Sequence, residues 1–209
     1  MECTARGAGA PRAEVTYEYV VLGSGDILLT VDVRPTEQLR SAVAWLPRIG
    51  LALDVPAALD RVQWYGRGPG GTFPDRPGGM RVGVYEGRIV DQFEPFMPPQ
   101  AHGLKMDTRW AALTGDGVGL AAFADAPFAL GVNPFANLAE AEHHGALRPN
   151  GVTTVTLDHA HLGAGTKFHA PVDDTIVRPE AVRFQIGLRP HAPAEQTPAA
   201  LWKRQFEHP

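Results

Sequence analysis

Residues 15–33 read VTYEYVVLGSGDILLTVDV, and the period of this stretch decides the fold. Val15, Tyr17, Tyr19 and Val21 alternate along the chain, then Gly23-Ser24-Gly25-Asp26 reverses it. Ile27, Leu29, Val31 and Val33 resume the alternation on one face. A period of two places successive side chains on opposite faces of a strand, and two such runs around a glycine turn make a hairpin. Working outward, Pro35 to Arg40 reads as a second turn, followed by a strand from Leu46 to Leu53. Further short strands are predicted at Val62–Tyr65, Val82–Tyr85, Arg109–Leu113, Gly119–Phe123 and Phe128–Val132. Val152 to Leu162 alternates through Val155, Leu157, His159 and His161, and Val182 to Leu188 closes the series. One internal helix is predicted over Leu138 to His144, with Asn137 as cap, Glu140 and Glu142 near its positive end and Gly145 as stop. Thr197-Pro198 reads as a second helix start, with Leu201, Trp202 and Phe206 on one side. The predicted fold class is all-β: an antiparallel β-sandwich with one short internal helix. Residues 1–12 read as a disordered tail, 13–190 as the sandwich and 191–209 as a C-terminal extension with helical character.

The composition agrees. The chain has 209 residues, 44% hydrophobic and 20% charged, enough for one domain with a real core. Its 23 glycines and 19 prolines are spread along the chain rather than repeated, as many short strands joined by turns require. A net charge of −4 without a basic patch argues against nucleic-acid binding. No apolar run reaches membrane-spanning length and the N-terminus lacks a signal-peptide core, so no membrane role is expected. The lone cysteine, Cys3, excludes an internal disulfide and fits a cytoplasmic location.

Residues 64–76, WYGRGPGGTFPDR, form the densest motif. Trp64 and Tyr65 suit a half-buried strand end. Gly66, Gly68, Pro69, Gly70 and Gly71 are expected to supply the unusual backbone angles of a tight loop around Arg67, which Asp75 and Arg76 pin through charge-assisted partners. The loop is not a phosphate cradle, because no Lys-Ser/Thr ending or helix start follows it.

Tests for chemistry are mostly negative. Glycoside hydrolysis needs two carboxylates about 5–10 Å apart. Glu86, Asp91, Glu94, Asp107, Asp158, Asp173 and Asp174 are available, yet no motif fixes a pair, and no catalytic residue is assigned. His159 and His161, two apart on a strand, are expected to face one side; a hydrogen-bonded structural pair is the simpler reading, and no metal site is assigned. Ser24 and Ser41 lie outside any nucleophile elbow. The strongest binding candidates are Phe168 with His169, an aromatic and a polar neighbour in a Gly/Pro loop, because sugar C–H faces stack on aromatic rings. His102 and Trp64 are further candidates, expected on exposed loops.

Five blocks occur in a telling order: Pro47-Arg48-Ile49-Gly50, the 64–76 loop, Pro99-Gln100 with Gly103, Arg109-Trp110, and Leu157-Asp158-His159-Ala160-His161-Leu162-Gly163-Ala164-Gly165. Together, from about Val21 to Pro190, they resemble the C-terminal domain of the long-chain bacterial β-galactosidases of glycoside hydrolase family two, which is the small subunit in two-chain versions. The resemblance implies a large β-sandwich related to galactose mutarotase, packed on a catalytic α/β barrel and lending one wall to its sugar site. It places the two catalytic glutamates and the catalytic magnesium on the barrel, so no cofactor is expected in this chain. The implied partners are that catalytic chain, or a second copy, and a β-galactoside or galactose. Compared with the family the chain reads as the last two-thirds of the domain, without the upstream mobile loop. Phe168 stands where the family has a substrate-stacking tryptophan, Thr166 and Lys167 replace an acidic pair, and Gly70-Gly71-Thr72-Phe73 replaces Gln/His-Glu-Asn-Tyr. The expectation is an accessory domain without hydrolysis of its own. The alternatives are a stand-alone carbohydrate-binding module, a mutarotase-like epimerase using His159 or His161 as base, or a non-functional remnant with uncovered strand edges.

Overall fold

The computed structural model describes residues 2–6, 11–163, 173–194 and 197–202. Ten strands follow in chain order: β1 Glu2–Arg6, β2 Pro11–Val21, β3 Ile27–Pro35, β4 Arg48–Pro56, β5 Arg61–Gly68, β6 Arg81–Arg88, β7 Lys105–Gly115, β8 Val118–Phe135, β9 Pro149–His161 and β10 Val182–His191. Two short helices, α1 Glu37–Ala42 and α2 Pro198–Trp202, complete the set. Every pairing is antiparallel. No helix among the described residues is long and apolar enough to cross a membrane.

The hairpin read from residues 15–33 is β2–β3. Its turn closes with the Gly25 amide on the Leu22 carbonyl at 2.9 Å and the Leu22 amide on the Asp26 carbonyl at 2.9 Å. Gly25 has φ +86°, a conformation that costs glycine little. The Arg189 guanidinium then clamps Asp26 at 2.7 Å, tying this turn to the end of β10. Leu29 and Val31 point inward opposite Ile186 and Phe184 of β10.

The sheet runs β1-β2-β3-β10-β8-β7-β5-β6, with β9 and then β4 branching from β8. The first half of β8 pairs with β10 through Gly119–Ala124, and its second half pairs with β9 through Ala129–Phe135. The two branches part at the exposed Asp125–Pro127 segment and fold over one core, which takes Leu29, Phe184 and Ile186 from one branch and Val55, Val155 and Leu157 from the other. The two strands expected at 119–123 and 128–132 are therefore one strand, bent where it changes partner.

Other expectations need correction. Residues 2–6 and 11–12, read as part of a disordered tail, are strand, with Glu2 opposite Thr16. The internal helix over 138–144 is absent: a turn and a 3-10 turn at His144–Ala146 stand there. The Asn137 side chain instead closes the loop, donating to the Ala146 carbonyl at 3.0 Å and accepting from the Arg148 amide at 2.9 Å. A seven-residue helix with little but Leu138 and Ala141 to bury is marginal in water. The short helix lies earlier, at α1, in the segment read as a turn, where Thr36 Oγ1 caps the Leu39 amide at 3.2 Å. The Thr197-Pro198 start is realised in α2, whose Ala200 amide reaches Thr197 Oγ1 at 3.3 Å. Gly66 and Gly68 have no unusual backbone angle. They lie in β5 because neighbours come too close for a side chain: a Cβ at Gly66 would sit 2.8 Å from Thr108 Cα, and one at Gly68 would sit 2.7 Å from the Tyr85 ring.

Gly187 shows the same constraint at the centre of the sheet. A Cβ there would fall 2.2 Å from the ring of Phe123, which is fully buried and cannot yield. Gly187→Ala is expected to lower the unfolding free energy by about 2 kcal/mol in urea titrations. Gly78→Ala, where a Cβ meets nothing within 4 Å, should change it by less than about 0.5 kcal/mol.

Candidate functional site

Four of the five sequence blocks meet at one pole of the sandwich; the remaining one, Arg109-Trp110, lies on β7, where Trp110 lines a different cavity. Strand β4, starting at Arg48, pairs with the end of β9, so Pro47–Gly50 lies along Asp158–His161. The 64–76 loop packs against the segment leading into β7. Thr72 Oγ1 accepts from the Met106 amide at 2.9 Å and donates to the Leu104 carbonyl at 3.3 Å. Glu94 receives the Gly71 amide at 3.2 Å and the Gly103 amide at 2.8 Å, drawing the loop and the Pro99–Gly103 block together. Gly103 has φ +60°, and a Cβ there would meet the Gln92 carbonyl at 2.3 Å. Asp75 lies against Gly163, and Phe73 meets the His161 ring edge-on at 5.8 Å between centroids.

A cleft of about 290 Å³ opens between these blocks on the outer face of β8 and β9. His102 and Leu104 form one wall, Arg48 and His161 another, and Thr154 and Thr156 the floor. His102 donates from Nδ1 to the Gln92 carbonyl at 3.4 Å, which leaves Nε2 as an acceptor, enclosed and without a partner. Burial lowers its pKa below the ordinary histidine value against the opposing pull of the Gln92 carbonyl, Glu94 and the Asn133 side chain, so the ring is uncharged at neutral pH. His161 donates from Nδ1 to the Leu162 carbonyl at 2.7 Å, and burial lowers its pKa as well. The cleft thus presents two neutral imidazoles, a half-exposed guanidinium and threonine hydroxyls, a set suited to hydrogen-bonding a polar ligand.

The expected residues divide clearly. Phe168 and His169 lie outside the described residues, which stop at Gly163 beside Asp75 before resuming at Asp173. His102 lines the cleft, but it is 6% exposed rather than on an open loop. Trp64 is fully buried and no ligand surface: its indole donates to the Arg67 carbonyl at 2.9 Å, and the Lys105 ammonium sits 4.8 Å above its ring. Arg67 binds Asp107 and the Met80 carbonyl and so pins the loop, a role that the sequence reading gave to Asp75 and Arg76. Arg76 closes a tight turn with Phe73, its amide on the Phe73 carbonyl at 2.9 Å. His159 and His161 do not share a face. The register passes from Ile49 opposite Ala160 to Gly50 opposite Asp158, so His159 is the extra residue of a bulge. His159 stacks on the core residue Phe184 at 5.0 Å, while His161 faces the cleft. Among the described residues no three His, Cys, Asp or Glu side chains are arranged to hold a metal ion.

Of two charged residues buried at this pole, Lys105 was missed by the sequence reading, and Asp158 was read only as an available carboxylate within the last block. Lys105 is 2% exposed, donates to the Pro69 carbonyl at 2.9 Å, and is pushed down to about 8 by burial, which Glu94 partly offsets. Asp158 is 2% exposed, with Arg48 at 3.8 Å and Oδ2 otherwise unpartnered; burial pushes it up to about 7 despite Arg48. Their apolar neighbours in sequence were the only available signal. Asp158 titrates near its ordinary 3.8 when unfolded and near 7 when folded, so the folded state holds the extra proton between these values. Its contribution to stability therefore falls as pH rises through that window and levels off above it. Asp158→Asn should remove this fall, gaining roughly 1–4 kcal/mol on the wild type between pH 5 and pH 8 in urea titrations. Parallel pH profiles for the two proteins would contradict this assignment.

Comparison with known proteins shows the family. The profile of the family described as beta galactosidase small chain matches residues 1–188. The beta-galactosidase of Lactobacillus delbrueckii subsp. bulgaricus is 33% identical over 158 residues, 75% of this chain. That of Arthrobacter sp. (strain B7) is 31% identical over 180 residues, 79% of this chain, and that of Priestia megaterium 29% identical over 150 residues, 70% of this chain. The chain spans only 15%, 17% and 14% of these three enzymes. A solved aldose 1-epimerase-like protein of Escherichia coli K12 overlays with a TM-score of 0.45 at 9% identity, covering 91% of this chain and 64% of its own. That overlay is too loose to bear on the site, and the fold rests on the strand pairing itself. Since the profile runs through every block that meets at the pole, from Pro47 to Gly163, the chain belongs to the beta galactosidase small chain family.

Proposed function

We propose that the chain docks on a barrel-bearing β-galactosidase catalytic chain, completes its galactoside site and hydrolyses nothing alone. The observation that supports this most is the meeting of four of the five blocks around one cleft that no carboxylate among the described residues lines, while the carboxylates packed beside it are committed to the fold. Glu94 holds two backbone amides, Asp107 holds Arg67, Asp158 is buried beside Arg48, and Asp75 lies against Gly163. None of these is a free acid or base of the kind that glycoside hydrolysis requires in pairs. In this reading both glutamates and the magnesium belong to the catalytic chain. The cleft supplies neutral hydrogen-bonding groups that position a sugar hydroxyl, and the Phe168 segment that follows Gly163 supplies an apolar platform.

The test is hydrolysis of o-nitrophenyl β-galactoside by the chain alone, by a catalytic chain lacking this domain, and by their mixture. Activity is expected in the mixture only. Turnover by the chain alone would reject the accessory role, and a mixture no faster than the catalytic chain would reject complementation. His102→Gln is expected to lower the mixture's kcat/KM about tenfold, the cost of one misplaced hydrogen bond, without changing the secondary structure seen by circular dichroism.

A further inference from the structure

A larger cavity, about 510 Å³, lies elsewhere, on the face of β5, β6 and β7 turned away from the core. It shares no lining residue with the cleft at the pole. Its floor includes Ala112 of β7, a small buried side chain that leaves depth between the larger residues around it. Trp110 stands at one side, next to Tyr65 with ring centroids 6.4 Å apart. At the other side Gln63 and Glu86 face each other across β5 and β6, joined by a 3.3 Å hydrogen bond, with Arg61 at 4.0 Å from Glu86. Pro193, Thr197 and Pro198 form the roof, where the chain crosses back over the sheet and α2 packs on β7 and β8. This roof lies beyond residue 188, where the family profile ends.

His191 is the second observation. It ends β10, lines the cavity and is 5% exposed, yet its Nδ1 is enclosed without a partner. Its imidazole forms no hydrogen bond with another described residue. Buried polar groups rarely go unpaired, because the loss costs about 1–3 kcal/mol. Burial lowers its pKa, so at neutral pH it is an uncharged donor and acceptor. The lining charges cancel, Arg61 against Glu86, which disfavours a phosphate or carboxylate ligand. What remains is an indole, an amide, a carboxylate held by a guanidinium, a neutral imidazole and a threonine hydroxyl, in a space of ordinary small-ligand size. That combination suits a ligand with an apolar face and several hydroxyls.

We propose that this cavity is a second binding site, for a neutral sugar of one or two rings, packed beside Trp110 and hydrogen-bonded by His191, Gln63 and Glu86. The test uses this chain alone, so it separates from the complementation assay. Galactose, glucose and lactose are titrated into the full chain up to tens of millimolar, followed by calorimetry and tryptophan fluorescence. Binding of at least one sugar with a fluorescence change is expected. Glu86→Ala, a change at an exposed edge-strand position, and His191→Ala should each weaken it about tenfold or more, whereas His102→Gln should leave it unchanged. Absence of binding by all three sugars would overturn the proposal. So would binding that is insensitive to Glu86→Ala, or binding lost in His102→Gln, which would place the sugar in the polar cleft instead.

Discussion

A strand has two hydrogen-bonding edges, and β8 must serve three partners. It keeps β7 on one edge along most of its length and divides the other between β10 and β9. The exchange is possible only where the backbone leaves the ladder, at Asp125–Pro127, with a proline that has no amide to lose. From that division come the two layers, the single core between them and two separate outer faces. The polar cleft lies on the β9 branch, and the larger cavity lies on the face continued through β7 and β5.

The polar pole is built against local stability. A bulge turns His159 inward and His161 outward, and Gly50 lets β4 approach Asp158 so closely that a Cβ would meet its Cα at 2.5 Å. The same closeness dries out Asp158, and Lys105 is dried out separately, against Trp64 and the Pro69 carbonyl; the surroundings only partly balance either charge. Buried charge of this kind contributes little to folding, and a well-packed apolar replacement is often no worse.

The glycines of the 64–76 loop show how a correct motif can carry an incorrect physical reason. Their spacing suggested unusual backbone angles, but Gly66 and Gly68 are extended strand residues that make room for Thr108, Tyr85 and Trp64. A turn and a close approach both select glycine, and only the neighbour across the sheet distinguishes them. The cap at Asn137 is similar: the residue was recognised as a backbone-satisfying side chain, yet it satisfies a loop closure rather than a helix. In both cases the residue type was legible and its partner was not.

Alternation with period two is a local property, so the sequence by itself determined most strands, the inward face of β3 and β10, and the all-β class. The ordered blocks likewise determined the family. Only the tertiary structure decided that β8 is one strand shared by two layers, that His159 and His161 part company, and that His102 and Arg48 wall one cleft while His191 and Glu86 wall another cavity. The reason is physical: a bulge is set by the register of the partner strand, and a cavity by side chains brought together from distant strands. Neither leaves a periodic trace in the chain that forms it.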